Sequence, residues 1–138
     1  MKKNSYSPLT KMKYEIVGVA IDIFDKLGPD HQEELYDGDF LVALEVAGFE
    51  VTNKPEIEIL NTRNEHLKFY YPDLRVQKDD MLMLIELKAD PKGIQPSQMR
   101  KARAYLKVSP KDQAILVINF ARAKGSIPEN KSVFRREL

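Results

Sequence analysis

The chain has no cysteine among its 138 residues. Disulfides, thiol nucleophiles and thiolate metal sites are therefore excluded. Histidine is nearly as scarce. His31 and His66 are the only two, too few for a histidine-rich zinc site. Any metal here would be a hard cation held by oxygen. No run of about 18 apolar residues exists, so no segment is expected to span a membrane. Met1-Lys2-Lys3-Asn4-Ser5 is basic but lacks the apolar stretch of a signal peptide, and a cytoplasmic protein is the default expectation. Excess charge is also missing. Lysine and arginine number 22 against 21 aspartates and glutamates, for a net charge of +1. No global field draws the chain to nucleic acid, so binding a polyanion would depend on local patches or a metal.

What remains has the length and composition of one ordinary globular domain. Residues 1–9 read as a flexible arm. Thr10 can cap a helix running to about Leu27, with Met12, Ile16, Val19, Ala20, Ile23 and Leu27 at helical spacing. Gly28-Pro29 ends it. Asp30 starts a second helix, with Glu33 three residues on in an aspartate version of the capping box. Leu35, Tyr36, Phe40, Leu41 and Leu44 give that helix its apolar side. Residues 49–60 read as a strand weakened or bulged near Pro55, followed by a turn at 61–65.

The most informative stretch is a hairpin, residues 70–76 and 81–88, around a polar turn at 77–80. With the turn centred between Asp79 and Asp80, paired positions sum to 159. Leu74 then faces Ile85, and Val76 faces Met83, forming one apolar face. On the other face Asp73 lies opposite Glu86, with Lys88 two residues further along. Directly opposed residues have Cβ atoms about 5 Å apart, and like charges there are destabilising. Such a pair needs a cation, a shared proton or solvent between its members. Downstream, a loop at 89–96 leads to a helix capped by Ser97 and reaching about Val108. Residues 113–120 form the most apolar strand and should be central. Residues 121–138 read as a polar C-terminal extension with a short strand at 132–135. The order is α-α-β-β-β-α-β, a mixed sheet flanked by helices in a single α/β domain.

Pro72-Asp73 followed by Glu86-Leu87-Lys88 resembles the PD-(D/E)XK signature of the restriction-endonuclease-like nucleases. Ile16-Val17-Gly18-Val19-Ala20-Ile21, then Leu27-Gly28-Pro29, Glu33 and Tyr36, looks like the start of the GxxExxY family, a small single-domain branch of that superfamily. Ile118-Asn119-Phe120 is similar to its last core strand. The likeness runs from about Thr10 to Phe120. Asp30 departs from the family's second glycine. Gln98 stands about two turns before Tyr105-Leu106, where the family commonly has a glutamine one turn before.

The resemblance implies a metal-dependent nuclease that hydrolyses phosphodiester bonds of DNA or RNA, with DNA the favoured substrate. Asp73, Glu86 and the Leu87 carbonyl would hold Mg²⁺ or Mn²⁺, with Glu33 as a third carboxylate. Magnesium is usually bound by one or two carboxylates plus substrate phosphate and water. Lys88 would act on the attacking water or on charge at phosphorus. Arg100, Lys101, Arg103 and Lys107 would contact phosphates, although a basic helix face is often only a solvated face. The rival reading is a catalytically silent nuclease-fold module that binds nucleic acid or a protein partner. A third is a subunit that needs a partner or a homodimer.

Overall fold

The computed structural model describes residues 7–28, 33–120 and 128–138. Two helices come first, α1 (Pro8–Leu27) and α2 (Glu33–Val46). Among the described residues seven strands, one more α-helix and a terminal 3-10 turn (Arg135–Glu137) follow: β1 (Glu50–Asn53), β2 (Ile57–Leu60), β3 (His66–Tyr70), β4 (Leu74–Lys78), β5 (Met81–Lys88), α3 (Pro96–Lys107), β6 (Ala114–Asn119) and β7 (Glu129–Phe134). The main sheet has the order β1-β4-β5-β6-β7, and β2 and β3 pair as a separate two-stranded sheet. Neighbours in the main sheet are antiparallel, except β5 and β6, which are parallel. The crossover through α3 makes that one parallel pair, because parallel neighbours cannot be joined by a tight turn. The fold is the mixed, helix-flanked sheet expected of a restriction-endonuclease-like domain.

Several boundaries differ from the expectation, each for a local reason. The cap of α1 is Ser7, not Thr10. Its Oγ accepts from the Thr10 amide at 3.2 Å, and Pro8 occupies the first helical position, where its missing N–H costs nothing. Residues 1–6 and the expected Asp30 cap lie outside the described residues. At the end of α1, Gly28 has φ 77° and ψ −179°, a region essentially open only to glycine. The cap of α3 is Gln95, not Ser97. The Gln95 amide donates to Gln98 Oε1 at 2.7 Å, which gives Gln98 a capping role. The stretch 49–60 is two strands, not one. Lys54, at φ 48°, and Pro55 swing the chain out of the main sheet, so β1 pairs with β4 and β2 pairs with β3. Tyr70 accordingly belongs to β3, and Asp73 sits in a bend just before β4. The extension beyond 120 supplies β7, which closes the far edge of the sheet. Residues 121–127 lie outside the described residues.

The hairpin register is the expected one: Leu74 pairs with Ile85 and Val76 with Met83. Those four side chains, with Leu87, face α1 and α2 in a core that also holds Tyr36, Phe40 and Phe120. Tyr36 stacks on Phe120 at 4.7 Å and donates its hydroxyl to the Gly28 carbonyl at 2.6 Å, so its ring packs and its polar tip is satisfied. The opposite face carries Leu84, Ile115, Val117 and Val133, covered by Met99, Ala102 and Leu106 of α3.

The C-terminal end of α3 is fixed by a buried charge network. Arg75 grips fully buried Asp112 with both nitrogens, Nε to Oδ1 at 2.8 Å and Nη2 to Oδ2 at 2.7 Å. Ser109 Oγ donates to Asp112 Oδ2. Arg135 donates to the carbonyls of Asp112, Leu106 and Ser109. Removing one member of a buried pair strands the other. Asp112→Ala should therefore lower the unfolding free energy by about 3 kcal/mol in chemical denaturation, and Asp112→Asn should cost clearly less.

Candidate active site

The site forms where β5 emerges from the core next to the small sheet. Lys88 is held first. Its carbonyl accepts from the Phe120 amide at 2.7 Å. The loop after it is pinned by buried Asn119, whose Oδ1 accepts from the Asp90 amide at 2.7 Å and whose Nδ2 donates to the Asp90 carbonyl at 2.8 Å. Because side chains alternate along a strand, Leu87 goes into the α1/α2 core while Glu86 and Lys88 project towards α3. They line one cavity of about 210 Å³ together with Tyr70, Gln98, Lys101 and Tyr105.

Glu86 is oriented by a tyrosine. Tyr70 donates its hydroxyl to Glu86 Oε1 at 2.7 Å, and its ring stacks on Tyr105 of α3 with centroids 3.5 Å apart. The small sheet is thus tied to the central strand and to α3 through one side chain. Burial next to Glu86 pushes the Tyr70 hydroxyl well above its ordinary range, so it stays protonated and acts as a donor. The Glu86 carboxyl is also raised. Loss of solvent is the main cause and the Asp73 charge adds to it; the Tyr70 hydrogen bond, Lys88 and the Asp73 backbone amide oppose it.

Asp73 Oδ2 accepts from the Leu87 amide at 2.6 Å, so Asp73 and Leu87 meet through the Leu87 backbone. Asp73 is electrostatically coupled to Glu86 but lines a neighbouring cleft of about 250 Å³, with Glu34 and Asp37 of α2. Glu33 opens α2, and its side chain lies outside the described residues. Among the described residues no three histidine, aspartate or glutamate side chains converge as metal ligands. Of the four basic residues of α3, Lys101 turns to the Glu86 cavity. Arg100 and Arg103 line the opposite flank of the helix. Lys107 is exposed.

A protein-family model described as the PD-(D/E)XK nuclease superfamily matches residues 10–130. The chain belongs to that superfamily. Comparison with curated proteins gives no match. Among solved structures, the chain is similar to one titled "Crystal structure of SSO0001", with a TM-score of 0.49 and 16% identity, over 91% of this chain and 62% of that one. It therefore spans less than two thirds of the length of that relative.

The sequence reading of this PD-(D/E)XK chain passed over Tyr70 and the direction of Lys101. Pro72 held the clue to the first: a proline there lets the strand containing Tyr70 end early and join another sheet.

The raised Glu86 carboxyl has a consequence for stability. A group that binds its proton more tightly in the folded state favours folding while protonated. Its contribution is fully present below the ordinary value of 4.5 and is lost as pH rises through the higher folded value. In chelator, Glu86→Gln should therefore melt above the wild type at neutral pH, with the gain vanishing below pH 4.5. A gain independent of pH in thermal melts would mean that ionisation of Glu86 is not its source.

Proposed function

We propose that the protein is a divalent-metal-dependent nuclease of the GxxExxY type that hydrolyses phosphodiester bonds in nucleic acid, DNA ahead of RNA. The observation that carries this reading is the partly buried Glu86 carboxylate, which feels the Asp73 charge and shares a cavity with Lys88. The donor set suits a hard cation. Leu87 and Tyr70 each engage one carboxylate oxygen, on Asp73 and Glu86 respectively. A carboxylate offers about four lone-pair sites on two oxygens, so each is oriented and still able to ligate. Burial raises the energy of the unpaired charge on Glu86, which a cation would relieve.

Asp73, Glu86 and the Leu87 carbonyl would hold Mg²⁺ or Mn²⁺, with Glu33 as a further carboxylate. When bound, the ion supplies charge neutralisation at the phosphate and a more acidic water. The chain's own residues do the rest. Tyr70 keeps Glu86 in one rotamer. Lys88 orients the attacking water and offsets negative charge that builds on the phosphate oxygens. Water oxygen bonds to phosphorus, the bond to the leaving oxygen breaks, and a monoester and an alcohol result. Lys101 enters the same cavity from α3 and would hold a phosphate flanking the scissile one.

Purified protein with Mn²⁺ should cleave supercoiled or single-stranded DNA, or structured RNA, and chelator should abolish the cleavage. Mn²⁺ should raise the melting temperature, because an ion that binds only the folded state stabilises it. Asp73→Asn should lose both the shift and the cleavage. Lys88→Ala should keep the shift and lose cleavage by about 10² or more. Binding of nucleic acid without cleavage of any of the three substrates would replace this reading with that of a silent binding module.

A further inference from the structure

The two flanks of α3 differ in chemistry. One faces the Glu86 cavity. The other lines a separate groove of about 600 Å³ that wraps the β7 edge of the sheet. Four cations reach it from three elements: Lys13 from α1, Arg100 and Arg103 from α3, and Lys131 from β7. Among the described residues no carboxylate lines it. Arg100, Arg103 and Lys131 are exposed and Lys13 is half-buried. Among the described residues, none of the four takes part in an ion pair. Nearby acids are turned elsewhere: Glu129 accepts from the Ile94 amide at 2.7 Å, and Glu15 pairs with Lys78 at 3.3 Å. On a chain of net charge +1, this is a local concentration of one sign. Four cations kept together without counter-charges repel one another, and a polyanion that displaces their small counterions would relieve the repulsion.

We propose that this groove is a second phosphate-binding track, occupied by the sugar-phosphate backbone of the same nucleic acid whose scissile bond lies in the Glu86 cavity. The proposal rests on the nuclease reading for its substrate and adds Lys13 and Lys131, which lie on other elements than α3. The two sites are separated by the width of one helix. That is about 10–12 Å, or the rise of about three nucleotides at 3.4 Å each. Exposed Ser97, at the rim of the Glu86 cavity, and exposed Ala104 stand seven residues apart on one outward line of the helix. A strand can therefore cross α3 over small side chains, passing Lys101 on one side and reaching Arg100 and Arg103 on the other. Lys131 also sits on an edge strand, where lysine commonly blocks strand addition; that role would leave nucleic-acid binding unaffected by its charge.

The test measures binding of fluorescein-labelled DNA, as a duplex and as a single strand, by polarisation over a salt series in chelator. Wild type is compared with Lys131→Glu, Lys131→Ala and the double variant Lys13→Glu/Lys131→Glu. Thermal melts establish that each variant is folded. The double variant should bind about tenfold or more weakly, uniformly across sequences. Its log–log salt slope should flatten by about 0.9 per lost contact on duplex, or about 0.7 on single strand. Lys131→Ala, which adds no negative charge, should show a smaller change in the same direction. Unchanged affinity and slope in folded variants would overturn the inference, as would a wild type that binds neither DNA at low salt. Mn²⁺-dependent cleavage by the wild type is read separately. Cleavage with no groove effect sinks only this inference, and a groove effect with no cleavage sinks only the catalytic reading.

Discussion

One hydrogen bond joins the small sheet to the central strand, and through its ring to α3: Tyr70 to Glu86. Glu86 lies on β5, whose neighbours on both sides are strands of the main sheet, and solvent loss there works against its charge. Tyr70 belongs to a different sheet and stacks on α3 through Tyr105. The bond therefore fixes the carboxylate while docking the small sheet to the helix. A neutral donor suits this place. A cation would hold the carboxylate more tightly but would compete with a metal and with the phosphate, whereas a phenol orients without neutralising.

The helix α3 serves the same end from the other side. Its apolar seam of Met99, Ala102 and Leu106 packs on the sheet, and its ends are pinned by different means. Gln98 caps the first turn, while the last is held by the Asp112, Arg75 and Arg135 network. Pinning both ends fixes the rotation of the helix about its axis. That rotation decides which basic residues share a surface: Lys101 with Glu86 and Lys88, Arg100 and Arg103 with Lys131. A basic helix whose rotation was free would be only a solvated face.

The central hairpin was legible in the sequence because two constraints agreed. Alternation placed Leu74, Val76, Met83 and Ile85 on one face, and a two-residue turn at Asp79–Asp80 fixed the register. A slip by one residue would have moved all four to the other face of the sheet. The buried strand β6 was legible for its unbroken apolar run. The split of residues 49–60 was not, because Pro55 is compatible with either a bulge or a departure from the sheet. Pairing of β1 with β4 and β2 with β3 decides between them, and such non-local pairing leaves little trace in local pattern. Register led to an expected opposition of Asp73 and Glu86, but Asp73 precedes β4 and lines a neighbouring cleft. What register could not give was the route by which each carboxylate is held: Asp73 by a backbone amide and Glu86 by a tyrosine from another sheet.

Two acids, Asp112 and Glu86, are withdrawn from water to different degrees and answered differently. Asp112 is fully buried, yet both its oxygens meet a guanidinium and one also meets a hydroxyl. Its charge is answered within the protein, and no cation from outside is called for. Glu86 is partly buried, and its partners only incompletely offset the loss of water and the nearby Asp73 charge. A charge held away from water and only partly answered reduces stability, and that cost sits at a cavity lined by Lys88 and Lys101. The well-satisfied Asp112 network lies at the other end of α3, where Arg135 also holds the Leu106 and Ser109 carbonyls.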